Sequence, residues 1–205
     1  MHQRDSRKSF AAVIFDLDGT LAETGLNFEA IRRELDFPDG VGLLEHIETL
    51  SDPERVAQAH AVIERHEMAG AARATWIEGA EQLLRDLNHA GMPMGILTRN
   101  SRQAVECTHQ ALELGVDLIL TREDCRPKPH PEGLLKIAAA LRVDPAEAVY
   151  VGDFIYDLEC ARNAGMTACL FRNHSNEAFE PHADLVIERL VEDGRDEDGR
   201  GDADE

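Results

Sequence analysis

The run Ala11-Ala12-Val13-Ile14-Phe15 passes directly into Asp16-Leu17-Asp18-Gly19-Thr20, and few features restrict a fold more. A short apolar run of this kind reads as a strand buried on both faces, as in parallel sheets. Acids at its C-terminal tip then lie on the edge where open α/β sheets bind their ligands. Regular strand geometry would put Asp16 and Asp18 on one face. Gly19 signals that the chain is already turning, so the two carboxylates are expected in one site with different orientations.

The rest of the chain divides into two kinds of pattern. Asn27–Asp36 has helical spacing, with Phe28, Ile31 and Leu35 three and four apart. Pro38–Gly42 is a loop and Leu43–Leu50 a short helix. Asp52-Pro53 then supplies an N-cap and a first-turn proline for a helix running to about Ala74. No strand is predicted between Leu21 and Trp76, so this block reads as an all-helical insertion. From Gly79 the pattern alternates. Helices are predicted at Ala80–Ala90, Ser101–Glu113, Pro131–Leu141 and Asp157–Ala164. Strands are predicted at Pro93–Leu97, Val116–Leu120, Ala148–Val151 and Thr167–Phe171, with an edge strand at Ala183–Ile187. Such alternation implies an α/β fold with a mainly parallel sheet covered on both faces, a Rossmann-like three-layer core. The expected division is a core of residues 10–21 and 78–190, a helical insertion of residues 22–77, and an acidic disordered tail of residues 191–205.

Charge narrows the range of functions. The formal charge is −19, which excludes non-specific nucleic-acid binding. The segment Glu188–Glu205 holds nine acids against three arginines, a composition of disorder. An acidic body that handles phosphates needs a metal and a few well-placed cations to offset its own field. Cys107, Cys125, Cys160 and Cys169 are scattered, so neither a zinc site nor a disulfide framework is expected and a reducing cytoplasm is the default location. Met1–Ser9 lacks the apolar core of a secretory signal, and no stretch is long and apolar enough to span a membrane. The charge also favours a monomer.

Polar residues recur where the predicted strands end. The first ends in Asp16 and Asp18, the second in Thr98-Arg99-Asn100, and Val149-Tyr150-Val151 ends in Gly152-Asp153 with Asp157 four residues on. Lys128 precedes a helix in Arg126-Pro127-Lys128-Pro129. In a parallel sheet these ends share one edge. Asp16, Asp18, Asp153 and Asp157 would then form an oxygen-rich cluster suited to Mg²⁺. Thr98 and Lys128 offer a hydroxyl and an ammonium to a phosphate, and a helix opening at Ser101 would aim free N–H groups there too. Metal, phosphate donors and a carboxylate nucleophile together make a phosphoryl-transfer site.

These residues resemble the signature of the haloacid dehalogenase superfamily, in its phosphatase branch and near phosphoglycolate phosphatases. Asp16-Leu17-Asp18-Gly19-Thr20, Thr98, Lys128 and Gly152-Asp153-Phe154-Ile155-Tyr156-Asp157 appear in the family's order. The resemblance implies that Asp16 attacks phosphorus to form an aspartyl-phosphate, and that Asp18 protonates the leaving oxygen and then activates water. It implies Mg²⁺ held by the Asp16 carboxylate, the Asp18 backbone carbonyl and Asp153, with Asp157 a further ligand or a partner through water. Thr98 would hydrogen-bond the phosphoryl group, and Lys128 would offset its charge and steady Asp16; outside the resemblance, Arg99 follows Thr98 and could touch a phosphate. The second acid, Asp18, implies a phosphatase rather than a dehalogenase. The implied substrate is a small phosphorylated metabolite: phosphoglycolate, a sugar phosphate or similar. A phosphomutase uses the same core and stays open. A phospho-receiver domain shares the chemistry but has its acids in another chain order, and the intact acid set argues against a non-catalytic binding protein. The insertion sits where the family carries a small helical cap of its first type. Thr98 follows Asp16 by only 82 residues, which implies a reduced one.

Other residues have plainer readings. Arg32 and Arg33 are expected on the solvated face of the insertion's first helix, with contact to a substrate anion the alternative. Arg99 reads equally as a salt bridge, and Trp76 as packing at the return from insertion to core.

Overall fold

Six strands form one parallel sheet in the computed structural model, which describes residues 9–191. The order β5-β4-β1-β6-β7-β8 comprises β1 (Ala12–Phe15), β4 (Met94–Leu97), β5 (Ile119–Leu120), β6 (Ala148–Gly152), β7 (Thr167–Phe171) and β8 (Leu185–Ile187). β1 lies centrally, with Phe15 in register with Ile96 on one side and Val151 on the other. The chain builds outward through β4 and β5, then returns to add β6, so the sheet's topological switch point lies at β1. The expectations for the N-terminal stretch and the acidic tail fall, Ser9 and Val191 apart, outside the described residues.

Side chains of a strand alternate between faces, and here both faces are apolar. Ala12, Ile14, Tyr150, Ala168 and Leu170 share one buried cluster with Leu134 and Ile137 of α6 (Glu132–Leu141) and Leu158 and Ala161 of α7 (Ile155–Ala164). Phe15, Ile96, Val149, Val151 and Cys169 share the other with Leu84 of α4 (Ala80–His89) and Val105 of α5 (Arg102–Leu112). This double burial explains why the strands read as continuous apolar runs rather than alternating ones.

Between β1 and β4 lie α1 (Phe28–Leu35), α2 (Leu43–Glu48) and α3 (Pro53–Ala71). Asn27 caps α1 by accepting from the Ala30 amide, and Asp52 caps α3 by accepting from Glu54. Ile31, Leu35, Phe37, Leu43, Ile47, Ala59 and Ile63 form a third apolar cluster, separate from the two on the sheet.

Four local readings need correction. The insertion is not all-helical, because β2 (Ala22–Glu23) pairs antiparallel with β3 (Thr75–Trp76) where the chain leaves and re-enters the sheet. Two residues per strand are too few to carry a period-2 signal. Trp76 sits in this ribbon and packs against the Phe15 cluster, as the hinge reading anticipated. α3 stops at Ala71 rather than near Ala74 because the chain turns into β3. β5 is only Ile119–Leu120, since Val116 is buried before the chain gains register with β4. α7 begins at Ile155, which places Asp157 inside its first turn.

Ile31 is fully buried within the separate helical cluster. Ile31→Ala is expected to remove about 2–5 kcal/mol of packing there. Hydrogen exchange should quicken in α1 and α3 while the β1 and β6 amides keep their protection.

Candidate active site

The sheet's C-terminal edge brings four segments together. β1 ends at Phe15, and the Asp16 amide still donates to Val151 O at 2.8 Å, so its side chain leaves the sheet at a fixed point. β4 delivers Thr98, whose amide donates to Leu120 O at 3.0 Å. β6 ends in Gly152-Asp153, and α7 carries Asp157. Lys128 comes from the segment before α6, where the Lys128–Pro129 peptide is cis.

Lys128 is the centre of this arrangement. Its ammonium donates to Asp16 Oδ1 at 2.7 Å, Asp157 Oδ1 at 2.6 Å and the Tyr150 hydroxyl at 3.1 Å. The lysine is only 4% exposed, so all three donors are spent inside the protein. Tyr150, fully buried on β6, also has its hydroxyl 3.0 Å from Leu97 O. Asp157 is held from its other oxygen by the Phe154 amide at 3.0 Å, an acid satisfying the start of its own helix.

One oxygen each from Asp16, Asp153 and Asp157 lies within 4.8 Å of the others. The fourth expected member is turned elsewhere. The Asp18 carboxylate accepts from Thr24 Oγ1 and Asn100 Nδ2, both at 2.5 Å. The cluster of four carboxylates is therefore a cluster of three, with Asp18 beside it. Gly19, with φ of +76°, turns the chain just after Asp18, and the following segment brings Thr24 back to the Asp18 carboxylate. A Cβ at Gly19 would stand 2.4 Å from Asp153 Oδ2, and one at Gly152 would stand 2.4 Å from the Asp157 side chain. Both glycines are needed for the carboxylates to approach this closely. Asp153 is steadied from the segment after β7: Asn176 Nδ2 donates to its backbone oxygen at 2.7 Å and Asn173 Nδ2 lies 3.4 Å from Oδ2.

Electrostatics follow from burying three acids with one cation. Burial pushes the Asp16 carboxyl well above its ordinary range; Lys128 opposes this, and Asp157 and Asp153 add to it. Asp153 is pushed up to about 7 by burial and by the charge of Asp157. Burial also raises Asp18, against the hydrogen bonds from Thr24 and Asn100. For Lys128, burial disfavours the ammonium, but Asp157 and Asp16 outweigh it and hold the group above the usual lysine range. The cluster thus carries an excess of buried negative charge. An all-oxygen donor set with that excess fits a hard divalent cation.

The expected free N–H groups at the start of α5 are not free. Ser101 caps the helix by accepting from the Ala104 amide, but the Ser101 amide donates to Glu67 Oε2 and the Arg102 amide to Glu123 Oε2. Carboxylates occupy the positive end of this helix. Glu67 comes from α3 and also pairs with Arg122 at 2.5 Å, while Arg99 pairs with Glu45 of α2 at 2.7 Å. Arg99 further donates to Lys128 O at 3.3 Å and lies 5.0 Å from the Tyr156 ring centre. Thr98 is 3% exposed and accepts from the Asn100 amide.

A cavity of 510 Å³ opens over these groups. Asp16, Asp18, Thr98, Arg99, Lys128, Asp153 and Asp157 all border it, so the expected metal, catalytic and phosphate-contact candidates face one space. Arg32 borders it as well. Arg33 is exposed, as the solvated reading expects, whereas Arg32 is only partly exposed and borders the cavity. Sequence reasoning missed Tyr150, Asn100, Asn173, Asn176 and Glu67. Asn100 had a signal, its place in Thr98-Arg99-Asn100 at a strand end. The others act through tertiary contacts with no local pattern.

Removing the cation and removing one acid should have opposite effects. Lys128→Met leaves Asp16 and Asp157 buried without their partner, and is expected to cost about 3–5 kcal/mol in urea unfolding at pH 7. Asp153 is the opposite case. Its folded-state pKa exceeds its ordinary value of 3.8, so the stability linked to its proton is complete below about pH 4 and is lost as pH rises through 7. With a chelator present, Asp153→Asn should therefore stabilise the protein by about 2–4 kcal/mol at pH 8, and the gain should vanish near pH 4.

The family described as haloacid dehalogenase-like hydrolase matches over residues 32–171, a stretch that includes Thr98, Lys128, Asp153 and Asp157 and begins after Asp16 and Asp18. An uncharacterized hydrolase of Saccharomyces cerevisiae is 34% identical over 186 residues, 87% of this chain and 85% of that one. An N-acetylmuramic acid 6-phosphate phosphatase of Pseudomonas putida is 28% identical, over 88% of this chain and 93% of its own. Among solved structures, a HAD family hydrolase of Deinococcus radiodurans R1 with bound phosphate and sodium superposes with a TM-score of 0.65 at 26% identity, covering 89% of this chain and 93% of that chain.

Proposed function

The chain belongs to the haloacid dehalogenase-like hydrolases, and from that premise we propose that it is a Mg²⁺-dependent phosphatase that cleaves a small phosphomonoester through an aspartyl-phosphate on Asp16. The observation that carries this reading is the Lys128–Asp16 pair at 2.7 Å beside two further acids on the floor of a cavity. Relatives named as phosphatases, and a structural neighbour that holds phosphate, support the same chemistry.

The residues divide the work. Lys128 takes Asp16 Oδ1 and, among the described residues, leaves Oδ2 without a protein donor. An Asp16 oxygen attacks phosphorus while the bond to the leaving oxygen breaks. Asp18 delivers its proton to that oxygen, and burial, which raises its pKa, favours the protonated form needed. Thr24 and Asn100 fix the carboxyl's direction. Asp18 then accepts a proton from the water that attacks the aspartyl-phosphate and regenerates Asp16. Asp16, Asp153 and the Asp18 backbone carbonyl would hold Mg²⁺, which supplies charge neutralisation for the phosphoryl oxygens. Asp157, with both oxygens bonded to Lys128 and Phe154, is a positioning residue and a ligand through water. Thr98 hydrogen-bonds the phosphoryl group, Lys128 offsets its charge and steadies Asp16, and Arg99, paired with Glu45, borders the same space. Residues 10–21 and 78–190 serve as the catalytic core, and residues 22–77 as a cap whose apolar face excludes water. Four free cysteines suit a reducing cytoplasm. Among the described residues no helix is long and apolar enough to cross a membrane.

The test is phosphate release from 4-nitrophenyl phosphate with and without Mg²⁺. Chelation is expected to abolish turnover and Mg²⁺ to restore it. Asp16→Asn should lower kcat by at least about 10⁴-fold. Asp18→Asn should retain metal binding and accumulate phosphoprotein, visible by intact mass, because the good leaving group departs without a proton. Equal activity of Asp16→Asn and wild type would remove the mechanism.

A further inference from the structure

The cavity is larger than the phosphoryl chemistry needs. It measures 510 Å³, within the roughly 300–1,000 Å³ typical of small-molecule sites, whereas a water occupies about 30 Å³ of liquid. Most of that room belongs to the part of the ester beyond phosphorus. The wall there is apolar, built by Leu26, Phe28, Ile31, Leu43 and Leu44. Phe28 and, from the turn before α7, Phe154 both line the cavity while remaining about half exposed. Both rings therefore offer apolar contact to an occupant of the cavity.

Within that wall stands one uncommitted charge. Three cations border the cavity: Lys128, Arg99 and Arg32. Lys128 is spent on Asp16 and Asp157, and Arg99 on Glu45. Arg32 makes a single bond among the described residues, from Nε to Val41 O at 3.2 Å. That bond holds the side chain and leaves Nη1 and Nη2 without a protein acceptor. The cavity's nearby acids have other partners, Glu23 with the Gly25 amide and Glu67 with Arg122 and Ser101. In a chain of formal charge −19, a half-buried arginine without a carboxylate is the exception. Phe28 and Arg32 are four apart on α1 and so lie one above the other on a single face.

We propose that Arg32 is the subsite for a carboxylate on the leaving group, and that the substrates are phosphomonoesters carrying that carboxylate beyond an apolar spacer that rests on Phe28. The planar guanidinium fork matches a carboxylate bidentately. A second phosphate, with its greater charge, would call for more than one cation among so many acids. The inference rests on the phosphatase reading and names the substrate class of the same site.

Two esters with the same ring and similar leaving-group acidity test it: 4-(carboxymethyl)phenyl phosphate and 4-methylphenyl phosphate. Wild type is expected to favour the carboxylated ester by about 10–100-fold in kcat/KM, the worth of a hydrogen-bonded charge, with most of the difference in KM. Arg32→Gln should bring the ratio close to one, and Arg32→Lys should recover part of it. Calorimetric titration of both esters into Asp16→Asn protein, with and without Arg32→Gln, reads the same preference without turnover. A wild-type ratio near one, or a preference that survives Arg32→Gln in either assay, overturns the proposal while leaving the phosphatase reading intact. If wild type turns over neither these esters nor 4-nitrophenyl phosphate, the phosphatase reading fails, and the calorimetric preference alone decides the role of Arg32.

Discussion

The buried ammonium of Lys128, bonded at once to Asp16 and Asp157, is the contact on which the rest of the site depends. Taking three carboxylates out of water is affordable only with a cation among them and with every remaining donor satisfied. One lysine offsets part of that charge, and the remaining negative charge on an all-oxygen donor set fits a hard divalent cation. The same contact ties three distant stretches of chain together: the end of β1, the segment before α6 and the first turn of α7. Tyr150 completes it from β6 by placing its hydroxyl against the ammonium.

Such close approach has a backbone requirement. The acids meet because Gly19 and Gly152 present no Cβ to the carboxylates opposite them. The turn at Gly19 also lets the chain return Thr24 to Asp18, whose carboxylate meets Thr24 and Asn100 instead of the cluster. Two neighbouring acids of one pentapeptide thereby acquire different surroundings, one beside the lysine and one under the helical segment. Under the proposed mechanism, those different surroundings would let one carboxyl serve as nucleophile and the other as acid and base.

The helical segment is coupled to this floor by charge rather than by apolar packing alone. Glu45 with Arg99 and Glu67 with Arg122 bridge it to the edge that bears Thr98 and Lys128. Glu67 also occupies the Ser101 amide at the start of α5. An amide that sequence reasoning assigned to a phosphate is used instead to seat the helices over the site. The resulting space is polar at the bottom, apolar at the side, and bordered by Arg32, whose terminal nitrogens have no acceptor among the described residues.

Strand ends were legible in the sequence because each apolar run stops at a chemically distinctive residue: Asp16, Thr98, Asp153. Burial on both faces of a parallel sheet leaves that imprint directly in the composition of a strand. The helices of the insertion were legible from spacing and caps. The β2–β3 ribbon was not, since pairing of two residues depends on its partner and not on its own pattern. Likewise the sequence determined which residues could carry phosphoryl chemistry, since that follows from residue type and order along the chain. Only the tertiary structure decided that the Asp18 carboxylate stands apart from the three clustered acids, that Tyr150 supports Lys128, that Arg99 is bound to Glu45 and that Arg32 borders the cavity with no carboxylate partner among the described residues. Each of those outcomes turns on which partner a side chain finds across the fold, and pairing between residues distant in sequence has no local signature.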